Sequence, residues 1–130
     1  MFGRIVVGVG KTDSAKRAAQ VAIDLATRYG ATLDVVMAID RRGSALDSRA
    51  RKDAEAFLRT VGSSSTVETR PHAIPGDPAD VVLMVADEVD ADLIVVGNKG
   101  MQGARRVLGS VPKSVALGAK TSVLIVDTAE

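Results

Sequence analysis

The sequence predicts an α/β domain: a five-stranded parallel sheet with helices on both faces. Three observations carry this. Short β-branched apolar runs alternate with longer segments of helical period, in the order βαβαβαβαβ. The runs Arg4–Gly10 and Leu93–Gly97 are continuously apolar rather than alternating, as in strands buried on both faces. No linker or internal repeat interrupts the 130 residues, so one domain is expected over 1–130, long enough to close a single core.

Arg4–Gly10 is the first strand. Thr12 or Asp13 caps the helix that follows. Its Ala15, Ala18, Ala19, Ala22, Leu25 and Ala26 keep the i, i+3, i+4, i+7 spacing until Gly30 stops it. Thr32–Ile39 is the second strand, and residues 40–49 form a polar connection. Ala50, Ala54, Phe57, Leu58 and Val61 mark a second helix, stopped by Gly62. Ser65–Ile74 alternates weakly and reads as a less buried third strand. Gly76-Asp77-Pro78 starts the next helix, with Asp77 as cap and Pro78 in the first helical position. Ala79, Val82, Leu83, Ala86 and Val89 form its buried stripe. Leu93–Gly97 is the fourth strand. Ser110 caps a short helix that runs to Leu117 and closes at Gly118, and Ser122–Val126 is the last strand.

Composition narrows the function. The chain has no cysteine, which excludes disulfides, zinc–thiolate sites and thiol catalysis. A net charge of +1 and 2% aromatic residues argue against a nucleic-acid binder held by bulk charge or base stacking. No apolar run has the length of a signal peptide core or a membrane span, so a soluble cytoplasmic protein is the expectation. Charge is unevenly spread: from Leu93 to Val126 there is no Asp or Glu, while Lys99, Arg105, Arg106, Lys113 and Lys120 are basic.

Residues 8–13, GVGKTD, look like the end of a phosphate-binding P-loop. The spacing excludes one, because the glycine required five positions before the Gly-Lys pair is Ile5, inside a strand. A second glycine-rich segment, GNKGMQGARRVLGS from Gly97 to Ser110, also follows a strand and leads into a helix. Ligands of parallel sheets bind beyond the carboxyl ends of the strands, where both segments lie. Glycines 97, 100, 103 and 109 let the backbone turn with positive φ and approach a ligand. Ser110 and the free N–H groups of its helix suit a phosphate, with Lys99, Arg105 and Arg106 adding positive charge. On these residues alone, glycines that only make turns and a Ser110 that only caps its helix fit equally well.

GNKGMQGARRVLGSVPKSVALGAKTSVLIV resembles the C-terminal signature of the universal stress protein family. IVVGVGKTDSAKRAAQVAIDLA is similar to that family's first strand and helix, and IPGDPADVVLMVADEVDADLIVVG to the segment leading into the signature. The likeness covers nearly the whole chain and is weakest over residues 40–70. It implies a Rossmann-like sheet of order 3-2-1-4-5, related to the adenine nucleotide α-hydrolase fold. It also implies an ATP site, or one for another adenine nucleotide such as AMP or cyclic AMP, and a homodimer through the last strand. The family pattern G-x2-G-x9-G-[S/T] maps onto Gly97, Gly100, Gly109 and Ser110, with Val111 beyond and Lys99 and Arg105 within the loop. The first strand end contributes Gly8, Val9, Gly10, Lys11 and Thr12, and the second strand end contributes Ala38. Two departures stand out. Only eight residues separate Gly100 from Gly109, and Gly10 occupies the place of the family's Asp, which contacts the base or ribose. That exchange weakens the base end of the pocket and strengthens its phosphate end through Lys11.

No catalytic residue is assigned. The one histidine, His72, lies in the weak third strand and is read as structural. Asp87, Glu88, Asp90 and Asp92 are read as solvated surface, and Asp13 as a helix cap before a magnesium ligand, so no metal site is assigned and magnesium stays open. No acid–base pair is visible, although slow ATP hydrolysis stays open. The sequence therefore points to a cytoplasmic stress-response protein that binds an adenine nucleotide and regulates through it. The competing expectation is a dimeric scaffold of the same fold that binds no nucleotide and acts through protein partners.

Overall fold

Five strands form one sheet in the order β3-β2-β1-β4-β5. They are β1 (Arg4–Gly8), β2 (Thr32–Ile39), β3 (Thr69–Pro75), β4 (Leu93–Asn98) and β5 (Ser122–Asp127), and every pairing is parallel. Among the described residues, α1 (Asp13–Tyr29) links β1 to β2, α2 (Pro78–Glu88) links β3 to β4 and α3 (Ser110–Gly118) links β4 to β5. The computed structural model describes residues 1–10, 13–39, 52, 55, 56, 58–60, 66–99 and 107–128. The residues described between 52 and 60 are helical and Leu58 among them is buried. Ala50, Ala54, Phe57, Val61 and Gly62, expected in that helix, lie outside the described residues.

Successive residues of a strand point to opposite faces, so β1 feeds two cores. Ile5 and Val7 pack with Leu33, Val35 and the alanine stripe Ala18, Ala22 and Ala26 of α1. Val6 packs with Val36, Ile94 and Val96 against Val82 and Val85 of α2 and Val115 of α3. Strands buried from both sides must be apolar throughout, which is why β1 and β4 read as continuous runs.

Several boundaries move. β1 ends at Gly8, two residues before the expected Gly10, although the Val9 N–H still donates to the Val36 carbonyl at 2.9 Å. β3 begins at Thr69 rather than Ser65, and β4 and β5 each gain one residue. In α2 the buried positions are Ala79, Val81, Val82, Val85 and Ala86, whereas Leu83 and Val89 are only partly covered. Leu83 turns aside towards α3, where a Cβ on Gly118 would come within 2.8 Å of it.

The helix ends follow local chemistry. Asp77 Oδ2 accepts the Asp80 N–H at 3.3 Å, and Pro78 fills the position where no N–H is needed. Gly30 takes φ +65° and the Ala31 N–H returns to the Ala26 carbonyl at 2.9 Å, a Schellman close of α1. Asp90 makes the same close after α2 with φ +53°, and Ala91 donates to Ala86.

Candidate functional site

A cavity of about 330 Å³ opens at the carboxyl ends of β1 and β4. These two strands are adjacent, and from them the connections run outward to opposite sides of the sheet, so the crevice lies where the winding reverses. The cavity crosses the strand ends from one helical layer to the other, touching Ala18 of α1, Pro78 and Val82 of α2, and Val111 of α3. Its walls are largely apolar. Among the described residues that line it, Lys99 carries the one charge and no carboxylate takes part.

Of the residues expected at a nucleotide site, Gly8, Val9, Gly10, Ala38, Gly97, Lys99 and Val111 line this cavity. Gly109 and Ser110 do not; they stand at the entry to α3, two and one residues before Val111. Lys11, Thr12, Gly100 and Arg105 lie outside the described residues. Ala18, Val36, Pro78, Val82, Val96 and Thr128 also line the cavity, and sequence reasoning did not single them out. Two signals were available. Val36 shares a strand face with Ala38, and Val82 sits one helical turn beyond Pro78.

The glycines differ in what they do. A Cβ on Gly8 would meet Val82 Cγ2 at 2.8 Å, so this position lets α2 close directly on the end of β1. A Cβ on Gly97 would meet Thr128 Cγ2 at 2.6 Å and the Ala18 Cβ at 3.6 Å, so Gly97 lets the end of β5 and α1 close over β4. Neither adopts positive φ, and nor does Gly109; among the described glycines only Gly30 and Gly76 do. The expected left-handed turns at Gly97 and Gly109 are thus replaced by close packing. Gly10 is different: among the described residues nothing lies within 4 Å of where its Cβ would be, and it lines the cavity.

The entry to α3 also departs from expectation. Its N-cap is Gly109, at φ −62° and ψ 162°, and no side chain among the described residues caps the helix. Ser110 is the first helical residue and Gly118 the last, rather than the residues on either side. The Lys113 N–H donates to the Gly109 carbonyl at 3.0 Å, and Pro112 has no N–H. Ser110 and Val111 therefore carry the amides of the first turn that have no acceptor within the helix.

Asn98, the last residue of β4, holds this entry. It is 5% exposed. Its Oδ1 accepts the Gly109 N–H at 2.9 Å and its Nδ2 donates to the Val107 carbonyl at 3.1 Å. Its own carbonyl accepts the N–H of Thr128 at 3.2 Å.

Comparison with known proteins places this geometry. The model of the universal stress protein family matches residues 1–127. A universal stress protein of Mycobacterium tuberculosis strain H37Rv is 36% identical over 148 residues, covering 98% of this chain and 97% of that protein. Universal stress protein A homolog 2 of Coxiella burnetii is 30% identical, covering 95% and 84%. Among solved structures, a universal stress protein in complex with cyclic AMP superposes with a TM-score of 0.81 at 34% identity, covering 98% of this chain and 99% of the other. The universal stress protein of Archaeoglobus fulgidus in complex with dAMP gives 0.76 at 28% identity, covering 95% and 97%. The strand order, the crevice between β1 and β4 and these likenesses across nearly the whole chain agree, and the chain belongs to the universal stress protein family.

Proposed function

We propose that the chain is a regulatory binding module that holds an adenine nucleotide in the crevice beyond β1 and β4. The observation that supports this most is the make-up of the cavity. Apolar walls from Val9, Val36, Ala38, Val82 and Val96 suit a base, and Lys99 with the amide end of α3 suits an anion. The complexes of two structural neighbours with cyclic AMP and dAMP support the same ligand class. ATP, the first candidate from the sequence, competes here with these monophosphates. The proposal includes no catalytic step.

Mass spectrometry of ligand released from gently purified protein, followed by calorimetry with ATP, AMP, cyclic AMP and adenosine, with and without magnesium, tests the reading. Retention of an adenine nucleotide, or saturable heat with one of them, is the expected result. No retained nucleotide and no heat with any would leave the protein-binding scaffold in its place.

The protein is further proposed to act as a homodimer through β5. This strand is the edge of the sheet, with Val123, Leu124 and Ile125 in sequence and Leu124 exposed, and no lysine or proline blunts it. Light scattering at micromolar concentration is expected to give the dimer mass, and Leu124→Lys to shift it towards monomer. A monomer mass for the unmutated chain would remove the idea. No helix among the described residues is long and apolar enough to cross a membrane.

A further inference from the structure

We propose that Asn98 is the positioning residue of the nucleotide site, fixing through its side-chain amide the amides of α3 that meet the phosphate. This rests on the reading of the crevice as a nucleotide site. The chain leaves β4 at Asn98, and after residues 99–108 it returns to a hydrogen bond from where it left. The return is pinned twice. Gly109 offers only a donor and Val107 only an acceptor, so both halves of the amide are used and its orientation is dictated. An ionised aspartate of the same shape matches Gly109 and opposes Val107, and an alanine matches neither.

Three further observations place this pin between structure and ligand. A Cβ on Gly109 would stand 3.2 Å from Asn98 Oδ1, so glycine at 109 leaves room for the bond. Val111, two residues into α3, lines the cavity, so the tilt of this first turn decides where its amides point. The Asn98 carbonyl meanwhile holds Thr128, another lining residue. The hydrogen bonds described for Asn98 go to Val107, Gly109 and Thr128, not to the apolar walls on α2 and β2. Loss of its side chain therefore loosens the phosphate end of the crevice and leaves the base end in place.

The probes are cyclic AMP, whose single negative charge is constant between about pH 5 and about pH 8, and uncharged adenosine. Asn98→Ala is expected to weaken cyclic AMP about tenfold, the scale of one lost hydrogen bond to a charged group, and adenosine less than about twofold. Asn98→Asp is expected to show the same loss at about pH 8. It should recover towards the unmutated affinity at about pH 5, because burial opposite a carbonyl raises that carboxyl and its protonated form donates to Val107. Without ligand, the Gly109 N–H should exchange with solvent faster in Asn98→Ala than in the unmutated chain, as followed by NMR.

Equal exchange at Gly109 in the two proteins overturns the pin. Faster exchange with unchanged cyclic AMP affinity, or with adenosine falling in step, makes Asn98 structural only. A flat pH profile for Asn98→Asp does the same, and also serves if Asn98→Ala does not fold. Failure of the unmutated chain to bind any adenine nucleotide overturns the site itself, and the ligand-free exchange result distinguishes that outcome from failure of the pin.

Discussion

The two ends of the sheet treat polar groups in opposite ways. At the amino end, Asp34 of β2 is fully buried, on the same face as Val36. Arg4 Nε of β1 donates to its Oδ2 at 3.0 Å, and His72 Nε2 of β3 lies 2.8 Å from its Oδ1. Nearby, Asp92 Oδ2 accepts the N–H groups of Gly3 and Arg4 at 2.9 and 3.0 Å. At the carboxyl end β1 stops at Gly8 and β4 passes through Gly97, both at a cavity with Lys99 on its lining. Charge at one end is consumed within the protein, and at the other it faces space that a ligand can fill. The contrast separates what holds the chain together from what is left open, within a single sheet.

The largest effect is expected from breaking the closed end. Arg4→Met leaves the buried carboxylate with His72 alone and should cost about 3 kcal/mol in urea unfolding, the lower edge of the range for a broken buried pair. Adding Asp34→Leu should return at least about 1 kcal/mol of it. A double variant no better than the single would place the cost in lost packing. Arg4 is held above its ordinary pKa first by the hydrogen bond to Asp34, with burial opposing. A raised pKa contributes stability at every pH below the ordinary arginine range and loses it only as pH rises through the raised value. The arginine's contribution should thus be flat across neutral pH.

Next comes the packing glycine of the open end. Gly8→Val drives a branched side chain into Val82 and should cost about 1–3 kcal/mol while filling the cavity floor. Nucleotide binding should disappear from calorimetry; retained affinity would mean that the ligand sits elsewhere. Gly109→Val is expected to cost about 1–3 kcal/mol as well, not through φ, which is negative here, but because the new side chain crowds the buried, hydrogen-bonded Asn98 amide. It should also weaken nucleotide binding about tenfold or more by displacing the Asn98 amide. Unchanged affinity with unchanged melting would detach the α3 entry from the site.

The smallest effect on the fold belongs to Gly10. With open space around its missing side chain, Gly10→Ala should change stability by less than about 0.5 kcal/mol. Any change in affinity then reports contact with ligand. Gly10→Asp should help adenosine as much as ATP by supplying an acceptor at the sugar or base. A selective loss of ATP would show that phosphate, not sugar, passes this point.

Much of the frame was legible because it rests on local signals. β2 was bounded to the residue, since Gly30 and a β-branched apolar run define it without reference to anything else. Asp77-Pro78 likewise announced α2. What failed depended on neighbours in space. Nothing local in Leu33-Asp34-Val35 says that Asp34 meets an arginine from β1 and a histidine from β3; that needs the register in which Val6 pairs with Asp34 and Val36 with His72. Gly8 and Gly97 do line the cavity, but their second task, letting Val82 and Thr128 close on the strand ends, was hidden because a sequence does not reveal what stands opposite a missing Cβ. Gly109 and Ser110 are both good N-cap types, and the choice fell to Gly109, whose backbone is extended at ψ 162° and whose N–H is held by Asn98.

The Asp34 cluster also gives the sequence a direction in time. Arg4 and His72 keep side-chain exposures of 26% and 29%, so each can turn to water if the carboxylate disappears. Asp34 has no such exit. A lineage can neutralise position 34 first and let position 4 drift afterwards, whereas the reverse order leaves the buried carboxylate with His72 alone. Forms with an apolar residue at 34 and arginine at 4 avoid that cost, and those with aspartate at 34 and an apolar residue at 4 carry it. The same three side chains that close one end of the sheet thereby act as a ratchet on its ancestry.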